Sequence, residues 1–162
     1  MFNYGIKNYL GIIFFISLIS LIFAYFIEYI LGHQPCNLCL IERIPYVLSF
    51  FIIITNYFFD RNEKFVLLLL MLVFIFSLLI SIYHYGIEQG IFNESAVCGL
   101  KDTSEMVTKD EILEQLSQQT ISCKDVTFRV FGFSLTTINI ITSFLIINLL
   151  IILFKNYEKF KS

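Results

Sequence analysis

The sequence predicts an all-α integral membrane protein, a four-transmembrane-helix bundle, and three observations carry that reading. Apolar residues make up 57% of the chain and charged ones only 15%, against about a quarter charged in a typical soluble domain. The apolar residues fall into four separate runs, each close to the roughly 20 residues that a helix needs to cross a bilayer. All four cysteines, Cys36, Cys39, Cys98 and Cys123, lie outside those runs.

The first run, residues 9–27, is too long for the apolar core of a signal peptide and has no small-residue cleavage site after it, so it reads as a retained helix. The second run, 44–59, follows Arg43; the third covers 65–83 and the fourth 133–154. Between them lie a short connection (28–43), a tight polar turn (60–64) and a long polar segment (84–132), so two loops on one face hold every cysteine. With no Trp in the chain, the aromatic belt falls to Tyr, and Tyr9, Tyr29, Tyr57, Tyr83, Tyr85 and Tyr157 all sit near span ends. In the long segment, Thr108, Lys109, Asp110 and Glu111 form a capping box ahead of Ile112, Leu113 and Leu116. That pattern predicts a short amphipathic helix lying along the membrane surface. No repeat or low-complexity linker divides the chain, and residues 1–162 read as one domain.

A net charge of −2, with no basic run beyond the few C-terminal lysines, excludes a nucleic-acid partner. Lys and Arg are denser on the face of the termini (Lys7, Arg61, Lys64, Lys155, Lys159, Lys161) than on the cysteine face (Arg43, Lys101, Lys109, Lys124, Arg129). The bias predicts cytoplasmic termini and external cysteines.

Cysteines on the outer face of a plasma membrane meet oxidising conditions, where paired disulfides are the default. Two structural bridges are the plain reading: a loop of about 26 residues closed by Cys98 and Cys123 would gain roughly 3 to 4 kcal/mol in the chain-entropy model. Cys36-Asn-Leu-Cys39 closes too small a loop to constrain the unfolded chain, and C-x-x-C is the spacing of thiol exchange. A zinc site calls for two close-spaced ligand pairs, and Cys98 and Cys123 are far apart in sequence with no suitably spaced His, which argues against a metal. Arg43, at the mouth of the second span, either stabilises a Cys39 thiolate, binds a polar ligand head, or snorkels to the interface. His84, at the end of the third span with Glu88 at i+4, is either part of this site or an interfacial His without a task.

Two disulfide-capable pairs on one face suggest a relay in which one thiolate attacks the next disulfide. Its electrons need an acceptor, and the chain has no dinucleotide fingerprint, haem-attachment motif or iron–sulfur spacing. A quinone dissolved in the bilayer meets that need, with Cys39, Arg43 and His84 at one interface.

Over nearly its whole length the chain resembles the disulfide bond formation protein B (DsbB) family. The resemblance rests on Gln34-Pro-Cys-Asn-Leu-Cys-Leu-Ile-Glu-Arg-Ile-Pro-Tyr46, on Tyr83-His-Tyr-Gly-Ile-Glu-Gln-Gly90 before Cys98, and on Cys123-Lys-Asp-Val-Thr-Phe-Arg-Val-Phe-Gly-Phe-Ser134. It implies a bacterial inner-membrane enzyme whose Cys98 is attacked by a reduced periplasmic thioredoxin-fold oxidase of the DsbA type. Cys123 then passes the electrons to Cys36, and Cys39 is the thiolate beside a ubiquinone or menaquinone, with Arg43 and His84 as quinone neighbours. The quinone-linked oxidation of the bacterial periplasm is itself the standard case of this pathway. A DsbA-type partner has a potential near about −120 mV, so glutathione, at roughly −200 mV or lower, cannot reoxidise it. Phe128 stands where the family commonly has Trp, and the start of the fourth span lacks the usual Met and Trp.

Two other architectures share features with this one. Vitamin K epoxide reductase-like enzymes also couple four cysteines to a quinone, but their loop pair precedes the C-x-x-C, the reverse of the order here. Tetraspanin-like scaffolds share four spans with a small and then a large outer loop, but their Cys-Cys-Gly motif is absent.

Overall fold

The structure, a computed structural model, describes residues 4–59, 63–93, 98, 122–124, 128–130 and 132–157. Its elements in chain order are α1 (Tyr4–Tyr29), α2 (Asn37–Ile41), α3 (Ile44–Phe59), α4 (Glu63–Glu88), β1 (Arg129–Val130), β2 (Phe133–Ser134) and α5 (Leu135–Lys155). Among the described residues, four stretches are long and apolar enough to cross a membrane: Ile6–Tyr29, Asn37–Phe58, Glu63–Glu88 and Leu135–Lys155. The amphipathic helix expected after Thr108 lies outside the described residues.

Local chemistry sets each boundary. The short connection 28–43 contains α2, whose N-cap is Cys36 in an extended conformation. Pro45 falls in the first turn of α3, where its missing N–H has no intrahelical partner to lose. The Arg43 carbonyl accepts from the N–H groups of Tyr46 and Val47 there, at 3.1 and 3.2 Å. α4 outruns the expected third span at both ends, which puts His84 inside the helix, one turn before its terminus. It stops in a Schellman arrangement: Ile91 N–H donates to the Gly86 carbonyl at 2.8 Å, Gly90 N–H donates to the Ile87 carbonyl at 2.9 Å, and Gly90 takes a φ of +72°. Gly86 also admits the returning chain, since a Cβ there would lie 2.2 Å from the Phe92 ring.

The fourth span was expected from residue 133, but its helix begins at Leu135. Phe133 and Ser134 are held instead in an antiparallel hairpin, opposite Val130 and Arg129, with Gly132 at a φ of +88°. Ser134 then caps α5, its Oγ accepting from Thr137 N–H at 3.2 Å.

α3 packs against both α1 and α4, and α4 packs along α5. The core between them includes Ile6, Leu10, Ile13, Leu67, Leu70, Phe74, Ile146 and Leu150. Small hydroxyl residues tie the helices together at buried positions. Ser49 Oγ donates to Ser17 Oγ at 2.9 Å between α3 and α1, and the Ser77 and Ser143 hydroxyls meet at 3.1 Å between α4 and α5. The outer surface is the inverse of a soluble protein's: Phe15, Ile19, Phe51, Phe76, Leu79, Phe144 and Leu145 all point outward. Lipid, as apolar as these side chains, is the solvent that suits them. At the end of the bundle that carries the termini, Lys7 lies over the Tyr57 ring and Lys64 over the Tyr157 ring, 5.9 and 5.0 Å from the centroids.

Candidate functional site

The opposite end of the bundle gathers the cysteines. Cys36 and Cys39 occupy the N-cap and third position of α2, so their side chains meet across the first turn. Their sulfurs are 3.0 Å apart, and Cys39 N–H donates to Cys36 Sγ at 3.4 Å. Cys98 and Cys123 form a disulfide, while Cys36 and Cys39 are free thiols. Cys36, Leu38, Ile87, Cys98 and Cys123 make one buried cluster, with Cys39 and Ile41 packed against it. Tertiary packing therefore brings together two pairs that are about sixty residues apart in the chain at their nearest.

α4 delivers His84 to this cluster. The imidazole is 1% exposed, with Nε2 3.5 Å from Cys36 Sγ and Nδ1 2.9 Å from Glu42 Oε1. Thr136, in the first turn of α5, places Oγ1 3.2 Å from Nδ1 and donates to Glu88 Oε1 at 2.6 Å. Glu88, the expected i+4 partner, lies 4.0 Å from Nε2, so the nearer carboxylate is Glu42 from the other side of the site. Asn139 completes the network: its Nδ2 donates to Glu42 Oε2 at 3.2 Å and to Ser81 Oγ at 2.7 Å, and its Oδ1 accepts from the Tyr46 hydroxyl. The hydrogen bond with the Cys39 thiol holds the Cys36 thiol well below the ordinary range, at about 4. Burial opposes this, and the hydrogen bonds from His84 and from Cys39 N–H reinforce it.

Beside the cysteines is a cavity of about 150 Å³. α1 supplies a mostly apolar wall (Leu21, Phe23, Ala24, Ile27), and the polar lining includes Gln34, Cys39, Glu42, Arg43, Tyr46 and Asn139. The Arg43 guanidinium donates to Glu28 Oε2 and lies 5.1 Å from the Tyr25 ring centroid. His33, also on the wall, packs against Phe128 with ring centroids 5.1 Å apart, which gives Phe128 a place behind the cavity. Of the residues expected at the site, Cys39 and Arg43 line the cavity, whereas His84 and Cys36 stand behind it.

A family model described as disulfide bond formation protein DsbB matches residues 7–153. The chain belongs to the DsbB family. It is also 33% identical over 142 residues to an uncharacterized protein of Rickettsia prowazekii (strain Madrid E), an alignment that covers 86% of this chain and 83% of the relative. No solved structure matches it. Membership makes this a multi-pass, four-helix membrane protein of disulfide bond formation, and the cluster sets its C-x-x-C thiols against the Cys98–Cys123 disulfide.

Sequence reading missed Glu42, Thr136 and Asn139 as parts of this DsbB-family site. Asn139 and Thr136 did leave a signal, as polar residues three apart inside an apolar run, where polarity calls for an interior partner. Glu42, next to Arg43 in a short polar connection, carries no local signal of its partner. In the fold they part, Arg43 to Glu28 and Glu42 to His84.

Proposed function

We propose that the protein reoxidises a DsbA-like thioredoxin-fold oxidase in the periplasm and hands the electron pair to a membrane quinone, ubiquinone or menaquinone. The observation that carries this reading is the single buried cluster of both cysteine pairs next to a cavity lined by Cys39 and Arg43.

A thiolate of the reduced partner attacks Cys98 of the Cys98–Cys123 disulfide and releases Cys123; the partner's second thiolate resolves the mixed disulfide, leaving the partner oxidised and Cys98 and Cys123 as thiols. Cys123 next attacks an oxidised Cys36–Cys39 bridge at Cys36, and Cys98 resolves that mixed disulfide, so the electron pair now resides on Cys36 and Cys39. The low thiol value of Cys36 eases that resolution, because Cys36 is the thiolate that leaves when Cys98 attacks Cys123 of the mixed disulfide.

The cavity fits a quinone: one wall is apolar, and Arg43, Asn139 and Tyr46 offer polar groups at its rim. A quinone supplies, when bound, an acceptor for two electrons and two protons. Arg43 would hold its head with a planar fork of donors, and Cys39 would be the thiol beside it, the electrons leaving the pair as the C-x-x-C bridge re-forms. Glu42, tied to His84 and Asn139, holds the polar side of the cavity rigid. The membrane is the bacterial inner membrane, with termini cytoplasmic and cysteine loops periplasmic.

Anaerobic mixing of the purified protein with a reduced partner and a quinone tests the reading through quinone absorbance. Quinol should form in step with partner oxidation, one for each disulfide made. Partner oxidation without quinol, or neither, overturns it.

A further inference from the structure

We propose that the reduced Cys36–Cys39 pair, together with His84, is a binding site for a thiophilic divalent cation such as Zn²⁺. Cys36 Sγ, Cys39 Sγ and a ring nitrogen of His84 all lie within 4.8 Å of one another. Sequence spacing argued against such a site because no His lies near the cysteines; α4 supplies one from 45 residues beyond Cys39. Two thiolates and one imidazole are a zinc ligand set, and a fourth position completes a tetrahedron.

Three features suit the site to a metal. A tetrahedral zinc, with Zn–S of about 2.3 Å and Zn–N of about 2.0 Å, keeps its ligand atoms roughly 3.5–3.8 Å apart. The Cys36 Sγ to His84 Nε2 distance is already 3.5 Å, and the 3.0 Å between the sulfurs opens by a turn of the Cys39 side chain, which is only part-buried. His84 is oriented as metal-binding histidines are, with Nδ1 on a carboxylate, Glu42 Oε1 at 2.9 Å, and Nε2 toward the sulfurs. Glu88 brings a carboxylate to the His84 side of the site: Oε1 is 4.0 Å from His84 Nε2, and Oε2 is buried with no hydrogen-bond partner.

Binding takes the ion and releases the proton still held by the pair, with no change of oxidation state. Oxidation of the pair to a disulfide removes two ligands, so the site exists only in the reduced protein. On the relay reading above, an ion held there stalls the pair before it passes its electrons on.

The test uses the full-length chain with Cys98→Ser and Cys123→Ser, so that Cys36 and Cys39 are the only thiols. The protein is reduced, freed of reductant under anaerobic conditions and titrated with Co²⁺. The expected result is one Co²⁺ per chain, with thiolate-to-metal charge-transfer and tetrahedral visible bands, displaced by Zn²⁺ and absent after oxidation. His84→Gln should weaken binding at least about tenfold, and Glu42→Gln, which removes only the orienting carboxylate, by about tenfold. No charge-transfer band, or affinity unmoved by both His84→Gln and Glu42→Gln, overturns the site. Quinol formation by the wild-type chain is measured separately without metal. A chain that turns over but binds no Co²⁺ loses the site and keeps the relay, whereas one that binds Co²⁺ but forms no quinol keeps the site and loses the relay.

Discussion

Cys36 owes its acidity to position. As N-cap of α2 it has the Cys39 thiol 3.0 Å away and the Cys39 N–H at 3.4 Å, and these donors favour the thiolate over the thiol. A lowered value keeps the charged form as pH falls, so the thiolate should persist from neutral pH down to about 4 rather than fade below the ordinary range. In reduced protein with Cys98→Ser and Cys123→Ser, ultraviolet thiolate absorbance should report one thiolate per chain at pH 6. Absorbance that vanishes below pH ~8, as for a free thiol, would refute this. Arg43 is held by Glu28 and Tyr25 with its fork at the cavity, so Arg43→Ala should raise the quinone KM about tenfold or more, the worth of one charge-assisted hydrogen bond of about 1.5 kcal/mol. The KM for the reduced partner should change little. Arg43→Lys should recover part of the loss, since an ammonium keeps the charge without the planar fork. An unchanged quinone KM in both variants removes Arg43 from the site.

At the scale of elements, the end of α4 decides where His84 points, because the Schellman turn at Gly90 and the fold-back of Phe92 over Gly86 pin the last turns. Phe92 stacks on Tyr83 at 5.6 Å, next in sequence to His84. A methyl at Gly86 drives into the Phe92 ring, so Gly86→Ala should destabilise the detergent-solubilised protein by about 1–3 kcal/mol, the usual cost of overpacking. Adding Phe92→Ala should recover part of that loss, because it removes the clashing ring. Thermal unfolding of the single and double variants checks this, and a double variant no more stable than Gly86→Ala alone counts against the mechanism. The hairpin before α5 has a parallel role: Ser134 ends β2 and caps α5, so one residue sets the start of the helix that carries Thr136 and Asn139 into the site.

For the whole molecule, the apolar exterior and the polar, cysteine-bearing end fix which parts face lipid, while the charge bias is the ground for the proposed side. Single-cysteine reporters at Asn93 and Lys155, both exposed, in a chain otherwise free of cysteine should split by side. Asn93→Cys should react with a membrane-impermeant thiol reagent in intact cells, and Lys155→Cys only after permeabilisation. The reverse pattern inverts the topology. On the proposed relay the cysteine pairs divide the work between the two ends of the cluster. Cys98→Ala and Cys123→Ala should each stop oxidation of the partner while leaving quinone binding nearly intact, because the cavity is lined by Cys39 and not by the disulfide. Partner oxidation at the wild-type rate in either variant reduces that disulfide to a structural bridge.

Four spans, the face that carries the cysteines and the pairing of C-x-x-C with a distant second pair were legible in the sequence by itself. Each is a property of composition, spacing or local periodicity, and lipid rewards apolar length whatever the helices pack against. The structure alone decided the partners. Glu42 rather than Glu88 meets His84 Nδ1, Arg43 turns to Glu28, and Asn139 on α5 joins Glu42, Ser81 and Tyr46. The start of α5 at Leu135 likewise depended on a hairpin that an apolar run cannot reveal. The physical reason is that a buried polar group must find its hydrogen-bond partner wherever packing brings one within about 3 Å. Which helices are brought together depends on side chains tens of residues apart, and no local pattern encodes that apposition.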